Sequence, residues 1–563
     1  MGSDSTTGGE VTASTGPRIA DLVEAAARRA PQACALVVTA ERVPVSYHDL
    51  TRLVDDLAAQ LAAGGLVPGD RVALRAGSNA EFVVGLLAAS RADLVAVPLD
   101  PALPGTEQRA RSEAVGARAV LVDRLGDDET AGATPPAWPI AVSAGPDGAA
   151  PAVTLTVSAA PQRDVSTPQG LRDDDAMIMF TGGTTGMPKM VPWTRHNIAG
   201  SVAAIVAGYA LGERDSTVAV MPLYHGHGLL AALLATLASG GTVLLPAGGR
   251  FSAHTFWDDI EAVRATWYTA VPTIHQILLE RARTERPAGA GGLRFIRSCS
   301  APLTAETAQA LQDTFSAPVV CAFGMTEATH QVATTAVEGA GHSENPGATP
   351  GLVGRSTGPQ IRIVGPDGQS LPAETVGEVW LHGPTVVRGY LGDPSITDAN
   401  FTQGWLHTGD LGTLSPAGDL VIRGRIKELI NRGGEKISPE RVEAVLASHP
   451  GVLEVAVFGK PDTLYGETVA AVIVARGSAA PTADELASFC RDRLAPSRCR
   501  PTSSRRRSCR TPPKARWTGA PSPNGSLAGP ERSDAGVDPR RGRFRHRLVA
   551  GERPGERGGA VRQ

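Results

Sequence analysis

Phe180-Thr181-Gly182-Gly183-Thr184-Thr185-Gly186-Met187-Pro188-Lys189 is the stretch on which the fold turns. It continues a short apolar run, Ala176-Met177-Ile178-Met179-Phe180, of the kind that forms a buried strand. The glycines permit a tight loop whose backbone N–H groups can converge on an anion. Thr184 and Thr185 add hydroxyl donors and Lys189 adds a positive charge. Together they supply what a nucleotide triphosphate tail requires. The string GxxxxGK[ST] is absent, so this is not the usual P-loop.

Outward from this loop the chain reads as alternating strands and helices. Ile19, Leu22, Val23 and Ala26 recur at helical spacing. Val72-Ala73-Leu74 and Leu94 to Leu99 read as buried strands on either side of a helical window, Phe82 to Leu87. Strand, helix, strand at this spacing predicts βαβ units around parallel sheets. Further strand-like runs are Thr217 to Met221, Thr242 to Leu245 and Val319 to Ala322. The Ala-, Pro- and Gly-rich stretch from Gly126 to Gln169 reads as a connecting or peripheral segment. Ile361 to Leu381 holds shorter strands around a Pro-Asp-Gly turn, a β-rich subdomain. Arg425 to Val474 reads as a small separate unit, with a charged loop, a helix from Pro439 to Ser448, and strands.

The loop resembles the phosphate loop of the adenylate-forming superfamily: acyl-CoA synthetases, luciferases and nonribosomal-peptide adenylation domains. The family string is TSGTTGxPKG. This chain carries Gly182 in place of the serine, one hydroxyl fewer for phosphate, and Met190 in place of the last glycine. Three more family motifs follow in order. Phe323-Gly324-Met325-Thr326-Glu327 resembles (Y/F)GxTE, and Gly404 to Asp410 resembles GWxxTGD. Gly424-Arg425-Ile426-Lys427-Glu428, with Gly433-Gly434-Glu435 and Pro439 to Glu443, resembles the hinge and the start of the small domain. The resemblance covers roughly Ile19 to Pro496.

It implies an α/β fold: a large N-terminal domain of parallel-sheet α/β subdomains plus a β-rich subdomain, and a small mobile α+β C-terminal domain. The expected boundaries are a disordered tail over 1–16, the large domain over 17–424, an incomplete small domain over 425–496 and a basic tail over 497–563. It also implies roles. Thr181, Gly182, Gly183, Thr184, Thr185, Gly186 and Lys189, with Gly324, Met325 and Thr326, would hold the nucleotide. Glu327 is a carboxylate suited to Mg²⁺, which prefers oxygen ligands and bridges phosphates. Asp410 can accept from both ribose hydroxyls, and Arg425 reinforces that end. Lys427 lies where the family pivots its small domain, and Gly433, Gly434 and Glu435 fall to CoA. Met221 to Gly228 resembles the PxxH segment beside the acyl pocket, with His225 as the aligned histidine and His227 beside it.

Several strings resemble one branch, the oxalate–CoA ligases: Ala265 to Gln276, Arg297-Ser298-Cys299-Ser300-Ala301, Met325 to Gln331, and Ile426 to Pro439. Oxalate is small and doubly charged, so one carboxylate reacts while the other needs polar partners. Ser300 and His330 flank the expected pocket and can donate hydrogen bonds. The implied activity is an ATP- and Mg²⁺-dependent acid–thiol ligase that makes an acyl-adenylate, then an acyl-CoA. A fatty, short-chain or aromatic acid ligase, a carrier-loading adenylation domain and a catalytically impaired nucleotide-binding relative are the competing readings.

Composition agrees with a soluble chain of more than one domain. The 563 residues are 42% apolar and 20% charged. Six scattered cysteines (Cys34, Cys299, Cys321, Cys490, Cys499 and Cys509) form no CxxC pair. No basic and apolar leader opens the chain, and the longest apolar run, Leu229 to Ala238, is too short to span a bilayer. The expectation is a cytoplasmic protein without a membrane span.

The net charge of −3 conceals an asymmetry. Ser497 to Gln563 carries 17 basic and 5 acidic residues, a net of +12, against −15 for the rest. This tail lacks the family's Thr-x-x-Gly-Lys motif, whose lysine serves adenylation. In suitable codons read one base earlier, Thr511 to Thr518 yields Thr-Pro-Gln-Gly-Lys-Val-Asp, so a frameshift just after Pro496 is expected. Nucleic-acid binding by the tail is weakly supported, since it lacks interleaved aromatics.

Overall fold

A computed structural model describes residues 16–124, 135–143, 145, 149–181, 188–285, 292–337, 349–476, 480–491 and 493–494. The expected amino-terminal tail, apart from Gly16, and the basic tail lie outside these residues.

Among the described residues the chain builds three sheets. The first has seven strands, with Ala119–Val122, Arg71–Arg75, Val95–Leu99 and Asp175–Thr181 parallel at its centre. The expected βαβ unit is present: Arg71–Arg75 and Val95–Leu99 pair in parallel, joined through the Ala80–Arg91 helix. That helix buries Ala80 and every residue from Phe82 to Ser90. A helix so apolar on all sides must be covered on all sides. Asn79 caps it by accepting from the Phe82 N–H at 3.0 Å.

Gly126 to Gln169 differs from expectation. It contributes two strands at one edge of this sheet, Ala137–Ser143 and Ala152–Leu155. Trp138 is wholly buried and donates its indole N–H to the Ala159 carbonyl at 3.0 Å. Alanine-rich composition hid these strands, because Ala carries little strand signal.

The second sheet changes character along its width. From Cys34–Val38 through Thr242–Leu244, Ser216–Val218, Trp267–Ala270 and Phe295–Ser298 to Val319–Met325 the neighbours are parallel. Beyond Val319–Met325, the strands His330–Thr334, Leu352–Ser356, Leu420–Arg425, Trp405–Leu414, Gly377–His382 and Gln360–Val364 are antiparallel. Val319–Met325 therefore has a parallel neighbour on one side and an antiparallel one on the other. Ligands of α/β sheets gather where the connection pattern changes. Both sequence expectations, α/β first and β-rich later, meet in this one strand.

The apolar run Leu229 to Ala238 lies inside the protein. His227–Leu234 forms a fully buried π-helix that runs into the α-helix Ala235–Ser239. Among the described residues no helix is long and apolar enough to cross a membrane. The third sheet orders Glu435–Ile437, Ile430–Arg432, Gly466–Ala475 and Val452–Asp462. The helix Pro439–Ala447 packs Val442 and Leu446 into a core with Ile430, Ile437, Val452, Val457 and Val469. Ser438 caps this helix and Pro439 occupies its first position, the expected start.

Candidate functional site

Thr181 ends its strand opposite Lys189, and the two strands that hold them pair antiparallel. Gly182, Gly183, Thr184, Thr185 and Gly186 lie outside the described residues. Lys189 is described. Its Nζ donates to Asn400 Oδ1 at 3.2 Å and to the Tyr390 hydroxyl at 3.4 Å, and sits 4.4 Å from the Tyr390 ring centre. Tyr390 in turn donates its hydroxyl hydrogen bond to Glu327 Oε1 at 2.9 Å. Lys189, Tyr390 and Glu327 thus form one hydrogen-bonded chain. Burial holds the Lys189 ammonium below its usual pKa; Glu327 opposes this and the charge of Lys427 adds to it. Burial, with Glu327 beside it, drives the Tyr390 hydroxyl well up.

Asp410 and Arg425 face each other across an antiparallel pair. Arg425 Nε donates to Asp410 Oδ1 at 2.9 Å. Asp410 Oδ2 is buried and, among the described residues, has no partner. Burial raises the Asp410 pKa, Arg425 opposes, and Glu440 and Glu327 add to the rise. A buried carboxylate oxygen without a donor is costly, typically about 1–3 kcal/mol or more. The turn before it is tied down: Thr408 Oγ1 donates to the Val379 carbonyl at 2.7 Å and accepts from the Asp410 N–H at 3.0 Å. The carboxylate is therefore held in place to receive donors from outside the chain.

The third group lies at the ends of the parallel strands. His227 Nδ1 is 3.1 Å from Ser300 Oγ and its Nε2 is 2.6 Å from Thr269 Oγ1. The His227 and His330 rings stack with centroids 5.3 Å apart. Behind them lies Arg297, wholly buried in the strand Phe295–Ser298. It donates to the Tyr209 hydroxyl (2.8 Å), Thr269 Oγ1 (3.1 Å), His330 Nε2 (3.1 Å) and Gln331 Oε1 (3.0 Å). Every one of these acceptors is neutral. Burial, then the Arg297 charge, depresses both histidines far below their usual pKa, so both are neutral near pH 7.

Backbone strain marks the same place. Ser300 (φ 72°), Thr329 (φ 48°) and His330 (φ 75°) are all left-handed, a rare conformation for residues with a side chain. Gly324 shows why the motif needs glycine. A Cβ there would lie 1.6 Å from the His330 carbonyl oxygen. Met325 pairs with His330 in the same hairpin, Thr326 begins the turn that carries Glu327, and the Thr326 carbonyl accepts from Trp193 Nε1 at 2.8 Å.

His225 is not placed with Ser300 and His330 by any of these bonds. It lies edge-on to Tyr224 at 4.9 Å, close enough for its charge to act on His227. His227 is the histidine bonded to Ser300. Sequence reasoning quoted Arg297 only within a string and did not single out Thr269, Tyr390 or Asn400. The available signal was an arginine directly after Phe295 and Ile296 in a short strand-like run.

At the hinge, Arg425 is followed by a short 3₁₀ turn, Ile426–Glu428, on which Lys427 is exposed. Gly433 (φ 60°) and Gly434 (φ 86°) make the two-residue turn of the hairpin that Glu435 continues, and both need left-handed backbone. The Gly433 N–H donates to the Tyr465 carbonyl at 2.7 Å.

The geometry can bind a nucleotide between Asp410 and Lys189 and a small polar acid beside His227, Ser300 and His330. Comparison with known proteins identifies the family. Residues 23–391 match the AMP-binding enzyme family, and residues 441–505 match the AMP-binding enzyme C-terminal domain. The chain is 40% identical over 480 residues to an oxalate–CoA ligase of Arabidopsis thaliana, covering 85% of this chain and 92% of that one. It is 41% identical over 325 residues to an oxalate–CoA ligase of Saccharomyces cerevisiae, covering 57% and 58%. The structure of o-succinylbenzoate CoA synthetase from Bacillus subtilis with ATP and magnesium ion superposes with a TM-score of 0.70 at 29% identity, covering 86% and 94%. The fold, the ordered motifs and these matches lead to one conclusion: the chain belongs to the AMP-binding, adenylate-forming enzymes, among their AMP-forming carboxylate–CoA ligases.

Proposed function

We propose that the acid is oxalate and that the chain converts it to oxalyl-CoA. The observation that carries this reading is the pocket wall. His227, His330 and Ser300 present polar atoms in front of a buried arginine that is bonded only to neutral acceptors. A fatty or aromatic acid would offer no partner to His330 Nδ1 and the Ser300 hydroxyl, at a cost a polar pocket does not tolerate. A second carboxylate on a small acid satisfies them. The similarity to two oxalate–CoA ligases supports the same choice.

In the first half-reaction one oxalate oxygen attacks the α-phosphorus of ATP and pyrophosphate leaves. Asp410 Oδ2 takes the ribose hydroxyls, and Arg425 holds the other oxygen of that carboxylate. Lys189 serves the phosphate charge, with Thr181, Thr184 and Thr185. Glu327 fits a hard divalent cation: it is a carboxylate, the donor such ions prefer, and Tyr390 takes one of its two oxygens. Mg²⁺ held by Glu327 and the phosphates would neutralise charge on the leaving pyrophosphate. In the second half-reaction the small domain turns about the segment holding Lys427. The CoA thiol, guided by the Gly433-Gly434-Glu435 hairpin, attacks the acyl carbon and AMP leaves.

The test is pyrophosphate release by the purified chain with ATP and Mg²⁺, over oxalate, malonate, acetate, an aromatic acid and a fatty acid. A second version carries the shifted tail restored after Pro496. Oxalate should give the highest kcat/KM, with restoration of the Gly-Lys motif raising kcat for adenylation. Preference for the aromatic or fatty acid in either version overturns the substrate assignment and leaves the ligase in place.

A further inference from the structure

We infer that Arg297 is a positioning residue that aims two hydrogen-bond donors, His330 Nδ1–H and the Ser300 hydroxyl, at the second carboxylate of the acid without touching it. The inference deepens the oxalate reading and rests on it. Two relays leave the one guanidinium. In the first, Arg297 Nη2 donates to His330 Nε2 at 3.1 Å. A nitrogen that accepts carries no proton, so neutral His330 must carry its proton on Nδ1. That nitrogen has no partner among the described residues.

In the second relay, Arg297 Nη1 donates to Thr269 Oγ1 at 3.1 Å, and Thr269 Oγ1 lies 2.6 Å from His227 Nε2. With its lone pair turned to the arginine, the threonine hydroxyl directs its proton to His227 Nε2. Neutral His227 then holds its proton on Nδ1 and donates to Ser300 Oγ at 3.1 Å. Ser300 is exposed, and its own O–H is left to point outward. Each link polarises the next in a low-dielectric interior. The strained backbone at Ser300 and at Thr329–His330 fixes where the two relays end.

Charge supports the same assignment. Among the described residues Arg297 has no carboxylate partner, and the groups that favour its charged form are Tyr209 and Cys299. These neutral partners hold the guanidinium charged and leave it without an opposite charge, so an anion placed nearby is favoured. Direct contact is not available to it, because its nitrogens are committed to Tyr209, Thr269, His330 and Gln331 and it is wholly buried.

Three variants test this: Arg297→Gln, Arg297→Lys and Thr269→Val. Arg297→Gln should raise KM for oxalate by about 30-fold or more, as when one partner of a buried charged pair is removed. KM for ATP should change by no more than about twofold, because no nucleotide contact is altered. Arg297→Lys keeps the charge and loses the fork, so it should recover only part of the oxalate affinity. Thr269→Val cuts the Ser300 arm alone and should give the smallest loss. Should Arg297→Gln fail to fold, the lysine and valine variants carry the test, with oxalate KM read against ATP KM.

An independent readout needs no acid. In the ¹⁵N-histidine-labelled, substrate-free protein, His330 should appear as the neutral Nδ1–H form and should not titrate between about pH 5.5 and 8. The groups facing His227 are Arg297, His330, His275 and His225; Arg297 faces His330. Removing the arginine charge favours imidazolium while burial remains, so in Arg297→Gln the histidine pKa values should move upward and the histidine signals should change. Unchanged oxalate KM in a folded Arg297→Gln, or unchanged histidine signals in it, overturns the inference. Wild type that turns over another acid while its histidines behave as stated removes oxalate and leaves Arg297 as the residue that sets the histidine tautomers.

Discussion

The nucleotide end and the acid end of the site are unfinished in opposite senses. At Asp410, among the described residues, Arg425 satisfies one buried oxygen and the other has no partner. At Arg297, among the described residues, a buried cation is fully hydrogen-bonded but lacks an opposite charge. The first gap suits neutral hydroxyls, the second an anion. A protein interior tolerates such gaps where a ligand completes them. Under the proposed function each gap has its ligand: a ribose at one end and a charged acid at the other.

The largest expected effect tests the group between the two ends. Glu327→Gln should lower kcat/KM for pyrophosphate release by roughly 10²–10³-fold, the size found when a group stabilising transition-state charge is removed. Raising Mg²⁺ should restore part of it. A loss confined to oxalate KM would instead assign Glu327 to the acid end and break the division.

Asp410→Asn comes next. It should weaken ATP by about 10- to 100-fold, as expected for charge-assisted hydrogen bonds. Wild type should prefer ATP to 2′-deoxy-ATP, and the variant should lose that preference. Its ratio of oxalate to acetate use should stay within about threefold, since distant sites act additively. A variant that keeps its preference for ATP would show that Asp410 Oδ2 does not face the ribose.

The smallest effect concerns pH. Lys189 must be protonated to serve phosphate, so adenylation falls as pH rises through its pKa. Burial holds that pKa down and Lys427 lowers it further. Removing a like charge favours the protonated form, so in Lys427→Ala the alkaline limb of pyrophosphate release should move up, by less than about one pH unit. A downward move would contradict the proximity of the two lysines.

The nucleotide end was more legible in the sequence than the acid end. Gly324, Thr326, Glu327, Asp410 and Arg425 lie in short strings that resemble the motifs of one family. The acid end is assembled by tertiary structure. Tyr209, His227, Thr269, Arg297 and His330 come from five elements, and no local pattern shows that they meet. His225 and His227 illustrate the limit: the motif named one, and the π-helix that begins at His227 brings the other to Ser300. The parallel core was readable from apolar runs, whereas the Ala137–Ser143 and Ala152–Leu155 strands were hidden because alanine and proline obscure alternation.

Gly324 belongs by sequence to the nucleotide motif, yet the space its missing side chain leaves is filled by the carbonyl of His330. Two tasks are thereby tied to one point of the chain. Descendants of this sequence cannot change acid preference by rerouting the Thr329–His330 turn without disturbing the nucleotide motif against which it rests. Evolution of the substrate range is channelled into side-chain replacements at 227, 269, 297, 300 and 330, over a main chain that stays constant.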